Sequence, residues 1–158
     1  MKTVAIIVPI FNELETIKLF YNRLKITINS IKDHHFIICF IDDGSSDKSS
    51  EVVKEIIDAD NRVKLIILTR NFGKEAALSA GLNNIEADAV IPMDVDLQDP
   101  PELIKEMISI WSSGVPLVLA RRLSRKEDTI FKRFSADIFY YIHNKLSSIK
   151  IPKNVGDF

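Results

Sequence analysis

Two aspartates one residue apart, Asp94 and Asp96, follow directly on the apolar run Ala89-Val90-Ile91-Pro92-Met93 and precede Gln98, Asp99 and the double proline Pro100-Pro101. No basic residue lies beside them in the chain, so two carboxylates this close repel each other unless a cation joins them. Oxygen ligands that keep open positions for phosphate suit Mg2+ or Mn2+. The chemistry they point to is a divalent metal holding a phosphorylated substrate, with Gln98 completing the metal shell or touching phosphate. The plainer alternative is a pair of turn carboxylates capping the helix that starts at Pro101. Asp99 already suits that role, which leaves the earlier pair without a structural task.

Two more apolar runs stop at acidic residues. Thr3 to Ile10 ends at Phe11-Asn12-Glu13, and Phe36 to Ile41 ends at Asp42-Asp43-Gly44-Ser45-Ser46-Asp47. Asp, Gly and Ser are common turn formers, so either stretch alone says little. A carboxylate there can also accept hydrogen bonds from a nucleobase or ribose. Three acidic strand ends of one parallel sheet face a common crevice, and together they carry more weight than singly. Cations that would offset them are Arg70 and Lys74, then Arg121, Arg122 and Arg125, then Lys132 and Arg133. Charged runs usually face solvent, yet arginine is the side chain suited to bidentate phosphate contact. His34, His35 and His143 lack metal-ligand spacing, and no Walker A loop, dinucleotide glycine fingerprint or nucleophile elbow occurs.

The elements that must position these residues alternate along the chain. Strands are expected at Thr3–Ile10, Phe36–Ile41, Val63–Leu68, Ala89–Met93 and Leu117–Ala120. Helices are expected at Leu14–Ile31, Ser49–Ile57, Lys74–Asn84 and from Pro101 to Trp111. Such alternation predicts an α/β fold with a mostly parallel sheet and helices on its faces. The 158 residues suffice for one domain, taken as 1–158. A net charge of -1 gives no global reason to expect nucleic acid. The one cysteine, Cys39, sits inside an apolar run and reads as a core residue in a reducing, cytoplasmic compartment. Met1-Lys2-Thr3 leads into a strand rather than a signal peptide, and no apolar stretch approaches a membrane span. Beyond the basic loop 121–126, Ile130 to Leu146 reads as a helix with Phe131, Phe134, Ile138, Phe139, Tyr141 and Ile142 on it. Membrane-interface contact, core packing and a subunit contact each account for that stripe.

Four blocks occur in order: Val8-Pro9-Ile10-Phe11-Asn12-Glu13, Asp42 to Asp47, Arg70-Asn71-Phe72-Gly73-Lys74, and Asp94 to Glu102. Together they resemble the signature blocks of family-2 inverting glycosyltransferases of the GT-A fold, and most closely the polyprenyl-phosphate glycosyltransferases. The resemblance spans essentially the whole chain. It implies a Rossmann-like three-layer fold and a Mg2+ or Mn2+ ion held by Asp94, Asp96 and Gln98 on the donor diphosphate. It implies that Pro9, Phe11, Glu13 and Asp43, with Asp42 beside them, hold the nucleoside, and that Arg70 and Lys74 lie on the donor side. Arg122, Arg125 and Arg133 are similar to residues that contact donor and lipid phosphates, with Arg121 or Lys132 as substitutes. Asp157, in Gly156-Asp157-Phe158, matches a block that orients the acceptor. The implied reaction moves a hexose, in the first place from UDP-glucose, to a polyprenyl phosphate with inversion, with Asp96, Asp157 and Arg122 nearest the chemistry. The implied setting is the cytoplasmic face of a membrane, within a longer parent protein for which a homo-oligomer is one expectation, since the family pattern continues past Phe158 and many bacterial members add two membrane helices.

Rivals within the fold are a saccharide acceptor and a non-catalytic nucleotide-sugar-binding fragment. A phosphotransfer receiver or aspartate phosphatase fits poorly, because the first strand ends in Phe11-Asn12-Glu13 and no threonine follows Asp96 in the phosphatase manner.

Overall fold

The computed structural model of the protein describes residues 1–120. Met1–Val115 form one compact unit built of four strands and four helices in strict alternation: β1 Lys2–Ile10, α1 Ile17–Asn29, β2 His34–Asp42, α2 Ser49–Ala59, β3 Val63–Ile67, α3 Lys74–Asn84, β4 Ala89–Pro92 and α4 Leu103–Ser112. The strands pair in parallel in the order β3-β2-β1-β4. Runs rich in Val and Ile make the two central strands, because a parallel strand covered on both faces needs apolar side chains on each. Val4 to Val8 and Ile38 to Ile41 are wholly buried.

Neighbouring residues on a strand point to opposite faces, which assigns the helices to layers. Phe40 meets Phe20 of α1 edge to face, ring centroids 6.3 Å apart. The next residue, Ile41, packs with Ile7, Cys39 and Ala77 of α3 on the other face. The helix α1 also contacts α2 and α4, so these three share one face and α3 covers the other. Burying a side chain such as Phe20 or Phe40 contributes roughly 2–3 kcal/mol. The small residues of α3 have a packing reason. A Cβ at Gly81 would sit 2.7 Å from Ile7 Cγ2 and 3.0 Å from Ile41 Cδ1, so glycine lets this helix lie close on the sheet. Burial pushes the Cys39 thiol up to about 11, as expected of a core residue rather than a reactive one.

Strand order reverses between β1 and β4, making the gap beyond their carboxyl ends the topological switch point where open α/β sheets bind ligands. The amino ends carry a different arrangement. There Arg62 clasps Asp60 with Nε and Nη2 at 2.9 and 2.7 Å, Tyr21 donates its hydroxyl to Asp60 at 2.8 Å, and Arg62 reaches Asn29 at 2.9 Å. The Arg62 guanidinium holds the Asp60 carboxyl well below the usual carboxylate range, against the opposing pull of burial.

Most boundaries shift by one or two residues, and three differences from the expected elements have a physical cause. The first helix starts at Ile17, because Thr16 and Ile17 both donate to the Glu13 carbonyl and make residues 14–16 a turn. Pro101 lies in the turn ahead of α4 rather than at its first residue. Leu103 and Ile104 donate to Pro100 and Pro101, and Glu102 takes the N-cap position that Asp99 was expected to serve. The expected strand Leu117–Ala120 pairs with no strand among the described residues. A short apolar run satisfies the strand pattern on its own, but only a ladder partner makes it a strand. The expected helix 130–146 and the basic residues from Arg121 onward lie outside the described residues.

Candidate active site

Each of the three acidic strand ends is built by a distinct local device. At the end of β1, Asn12 adopts a left-handed conformation (φ 56°), which asparagine tolerates better than most residues. That turn aims its side chain at the loop after β2. Asn12 Oδ1 accepts from the Ser46 and Asp47 amides at 2.9 and 3.4 Å, while its own amide donates to Ser45 Oγ at 2.9 Å. The Glu13 amide donates to Ser49 Oγ at 2.8 Å, and the Glu13 carboxylate accepts from Thr16 Oγ1 at 2.6 Å. The serines after β2 thus stitch one strand end to another. Asp47 assists by accepting from the Ser49 amide at 2.9 Å, just ahead of α2.

At the end of β2 the two aspartates divide the work. Asp42 is 1 % exposed; its carboxylate accepts from the Ser45 amide at 2.8 Å and from the Ser50 hydroxyl, so it braces its own loop. Asp43 reaches across to the loop after β3, accepting from the Phe72 and Gly73 amides at 2.8 Å each. Those amides belong to the entry of α3, where a carboxylate is favoured by the helix dipole. Gly44 permits this approach: its φ is 73°, and a Cβ would lie 2.5 Å from the Arg70 carbonyl carbon. Arg70 itself stacks on Phe72, its guanidinium carbon 4.7 Å from the ring centroid.

At the end of β4, Val95 is buried and turns its neighbours Asp94 and Asp96 outward. Asp96 Oδ1 accepts from the Gln98 amide at 3.0 Å, closing a small turn in which Leu97 holds a left-handed conformation (φ 60°). Leucine rarely does so, and backbone strain of this kind concentrates at functional sites. Lys74 Nζ reaches Asp94 Oδ2 at 2.9 Å from the first turn of α3. A basic residue therefore does meet the pair, from 20 positions away.

These ends enclose a crevice of about 320 Å³ lined by Pro9, Ile10, Phe11, Glu13, Asp43, Asn71, Gly73, Lys74, Asp94, Val95 and Asp96. Seven expected site residues (Pro9, Phe11, Glu13, Asp43, Lys74, Asp94 and Asp96) come together there. Asp42, Arg70 and Gln98 stand next to it without lining it. Asn71 and Gly73 were not singled out from sequence as lining residues, nor was Asn12 as the residue that holds the β1 end in place. The positive φ of Asn12 has no signature beyond an asparagine at a strand end. Arg122, Arg125, Arg133 and Asp157 lie outside the described residues.

The donor set is all oxygen. Asp94 and Asp96 share one open crevice, and Mg2+ characteristically takes one or two protein carboxylates and leaves the rest of its shell to phosphate and water. Glu13 and Asp43 line the same crevice, but among the described residues no group of three or more acidic, histidine or cysteine side chains is placed to hold a metal ion by itself. The fit is thus to a metal shared with a phosphorylated ligand rather than to an all-protein cage.

The comparisons agree with this geometry. The glycosyl transferase family 2 profile matches residues 5–158. The bactoprenol glucosyl transferase of Shigella phage SfX is 45% identical over 155 residues, 98% of this chain and 50% of that protein. Two solved structures share the fold: Mycobacterium tuberculosis glucosyl-3-phosphoglycerate synthase in complex with UDP (TM-score 0.64, 18% identity, covering 98% of this chain and 55% of that one) and the Pyrobaculum calidifontis mannosyltransferase PcManGT in complex with GDP-Man and Mn2+ (TM-score 0.61, 21% identity, 75% and 35%). The architecture is that of the GT-A glycosyltransferases, a parallel sheet with a crevice at its switch point. The chain belongs to glycosyl transferase family 2. It spans about half the length of the curated relatives it matches.

Proposed function

We propose that residues 1–158 form the catalytic domain of a glycosyltransferase that moves a hexose from a nucleotide sugar, UDP-glucose in the first place, to a polyprenyl phosphate. The observation that carries this reading is the convergence of Asp94, Asp96, Lys74, Glu13 and Phe11 on one crevice at the switch point between β1 and β4. The similarity to a bactoprenol glucosyl transferase supports a polyprenyl-phosphate acceptor and glucose as the sugar.

In this reading the nucleoside lies on Pro9 and Phe11, whose ring is 44 % exposed on the crevice wall, with Glu13 and Asp43 as acceptors for its polar groups. Asp94 and Asp96, with Gln98 beside them, hold Mg2+ or Mn2+, which when bound stabilises negative charge on the leaving diphosphate. Lys74 and Arg70 stand on the donor side. A phosphate oxygen of the acceptor forms the new bond to the anomeric carbon from the face opposite UDP. The old bond to the β-phosphate oxygen breaks, and UDP leaves with its electrons, inverting the configuration. An acceptor that is already anionic needs no strong general base. Positive side chains must instead hold two anions together, a task assigned to Arg122, Arg125 and Arg133, with Asp157 orienting the acceptor. The place of action is the cytoplasmic face of a membrane. No helix among the described residues is long and apolar enough to cross one.

Incubating the chain with UDP-glucose, Mn2+ and a short-chain polyprenyl phosphate in detergent tests the reading. Glucose should appear on the lipid, with none transferred to soluble saccharides. Transfer to the saccharides alone would replace the acceptor. UDP-glucose binding without transfer to either would leave a donor-binding fragment.

A further inference from the structure

Charge in the crevice is unevenly matched. Glu13, Asp43, Asp94 and Asp96 line it, and Lys74 is the only cationic side chain among the described lining residues. Asp43 is engaged by the Phe72 and Gly73 amides, which occupies the amino end of α3 with a carboxylate. A diphosphate entering this crevice therefore meets, among the described residues, a net negative lining with a carboxylate already seated just ahead of α3. The one ammonium group lies 2.9 Å from Asp94 Oδ2, in an ion pair whose side chains are 37% and 40% exposed. Ion pairs that wet are weak and exchange readily. Lysine is a compact charge on a flexible stem with three donors, so its head can move between anions without the backbone following.

We infer that Lys74 is a resident counter-cation for Asp94 that trades places with the divalent metal, passing to the donor diphosphate as the metal takes the carboxylate. This rests on the donor-binding reading above and adds an order to it. Metal alone competes with Lys74 for Asp94 and binds weakly. Metal and diphosphate together give each cation an anion, because the metal replaces the ammonium on Asp94 while the ammonium gains the phosphate. Lys74 thereby couples the two ligands, and the crevice loads them as a pair. The coupling is reciprocal, so each ligand must raise the other's affinity by one common factor.

Mn2+ binding to the full chain, followed by the loss of the free-ion electron paramagnetic resonance signal with and without UDP, reads this directly. In the wild type UDP should tighten Mn2+ strongly. Lys74→Gln should bind Mn2+ alone about tenfold tighter than wild type and UDP in saturating Mn2+ about tenfold more weakly, as expected for removing one charge a few ångströms away. The affinity for the pair, which is the product of those two steps, would then stay nearly constant, and with UDP binding in the absence of metal unchanged the coupling between the ligands would fall about tenfold. Lys18→Gln removes a positive charge from an exposed pair with Glu55 outside the crevice and should change neither affinity. Unchanged Mn2+ affinity in Lys74→Gln, or an equal rise in Lys18→Gln, would overturn the exchange while leaving donor binding intact. A wild type that binds neither Mn2+ nor UDP would overturn the donor-binding reading and the exchange with it.

Discussion

Asp60 and Asp96 are both aspartates in turns at the ends of strands, at opposite poles of one sheet. Asp60 is 8 % exposed and fully answered: Arg62 grips it with two nitrogens, Tyr21 adds a hydroxyl, and Asn29 steadies Arg62. Asp96 is exposed, accepts one amide from Gln98, and among the described residues shares its crevice with three other carboxylates and a single lysine. One pole has its charges matched internally and holds helices to the sheet. Among the described residues the other carries more carboxylates than cations, and it holds positive φ at Asn12 and Leu97, features that concentrate at functional sites. Between them stands Asp42, which shares the second pole with Asp96 but is wired like Asp60.

If this contrast holds, substitutions at the two poles should separate stability from ligand binding. The largest effect is expected where a single residue serves both. In Gly44→Ala the new Cβ meets Arg70 backbone rather than a yielding side chain, and φ 73° disfavours it as well. A loss of about 3 kcal/mol in chemical denaturation should accompany lost UDP binding. An alanine variant of wild-type stability would show that the loops are not locked together here.

Asp60→Asn comes next, with about 2 kcal/mol lost and donor binding unchanged, since Arg62 would keep only part of its partner. The pH dependence has a definite sign. Because the folded Asp60 pKa is depressed, its stabilisation is full above the unfolded value near pH 4 and drains away as pH falls below it. Wild type should therefore begin to lose its stability advantage over Asp60→Asn on acidification from pH 6 to 3, with the greater part lost only at lower pH, toward the depressed folded value. A constant difference across that range would remove Asp60 from the account of acid lability.

The smallest effect is expected at Leu97. Replacing a half-buried leucine by glycine normally costs stability, but here glycine also relieves the left-handed strain. Leu97→Gly should remain within about 1 kcal/mol of wild type while weakening Mn2+-dependent UDP binding severalfold through a looser Asp96 turn. A loss near 3 kcal/mol would mean that packing, not strain, dominates at that position.

Much of the sheet was legible because its signals are local. Apolar runs that stop at Glu13, Asp42 and Asp94 mark strand ends, and parallel pairing brings such ends to one edge. Lys74 could be suspected from its loop, but its pairing with Asp94 depends on α3 crossing to the far face of the sheet, which no short window contains. The separate tasks of Asp42 and Asp43 were illegible for a similar reason. Adjacent, identical residues diverge because one points into its own loop and the other toward α3. Leu97 carries no sequence signal at all, since leucine does not advertise a positive φ. Leu117–Ala120 failed in the opposite direction, with a strand-like pattern but no pairing partner among the described residues.

The central claim is that Asp94 and Asp96 share a divalent metal with a nucleoside diphosphate. Thermal unfolding of wild type and Asp96→Asn with UDP, with Mn2+ and with both tests it most directly. At ligand near 100 times its dissociation constant, the wild type should gain about 2.7 kcal/mol, a rise of roughly 5–10 °C in Tm, only when both are present. Asp96→Asn should unfold at the wild-type temperature without ligands and gain nothing from the pair. An equal rise in Asp96→Asn, or no rise in the wild type, would contradict the claim.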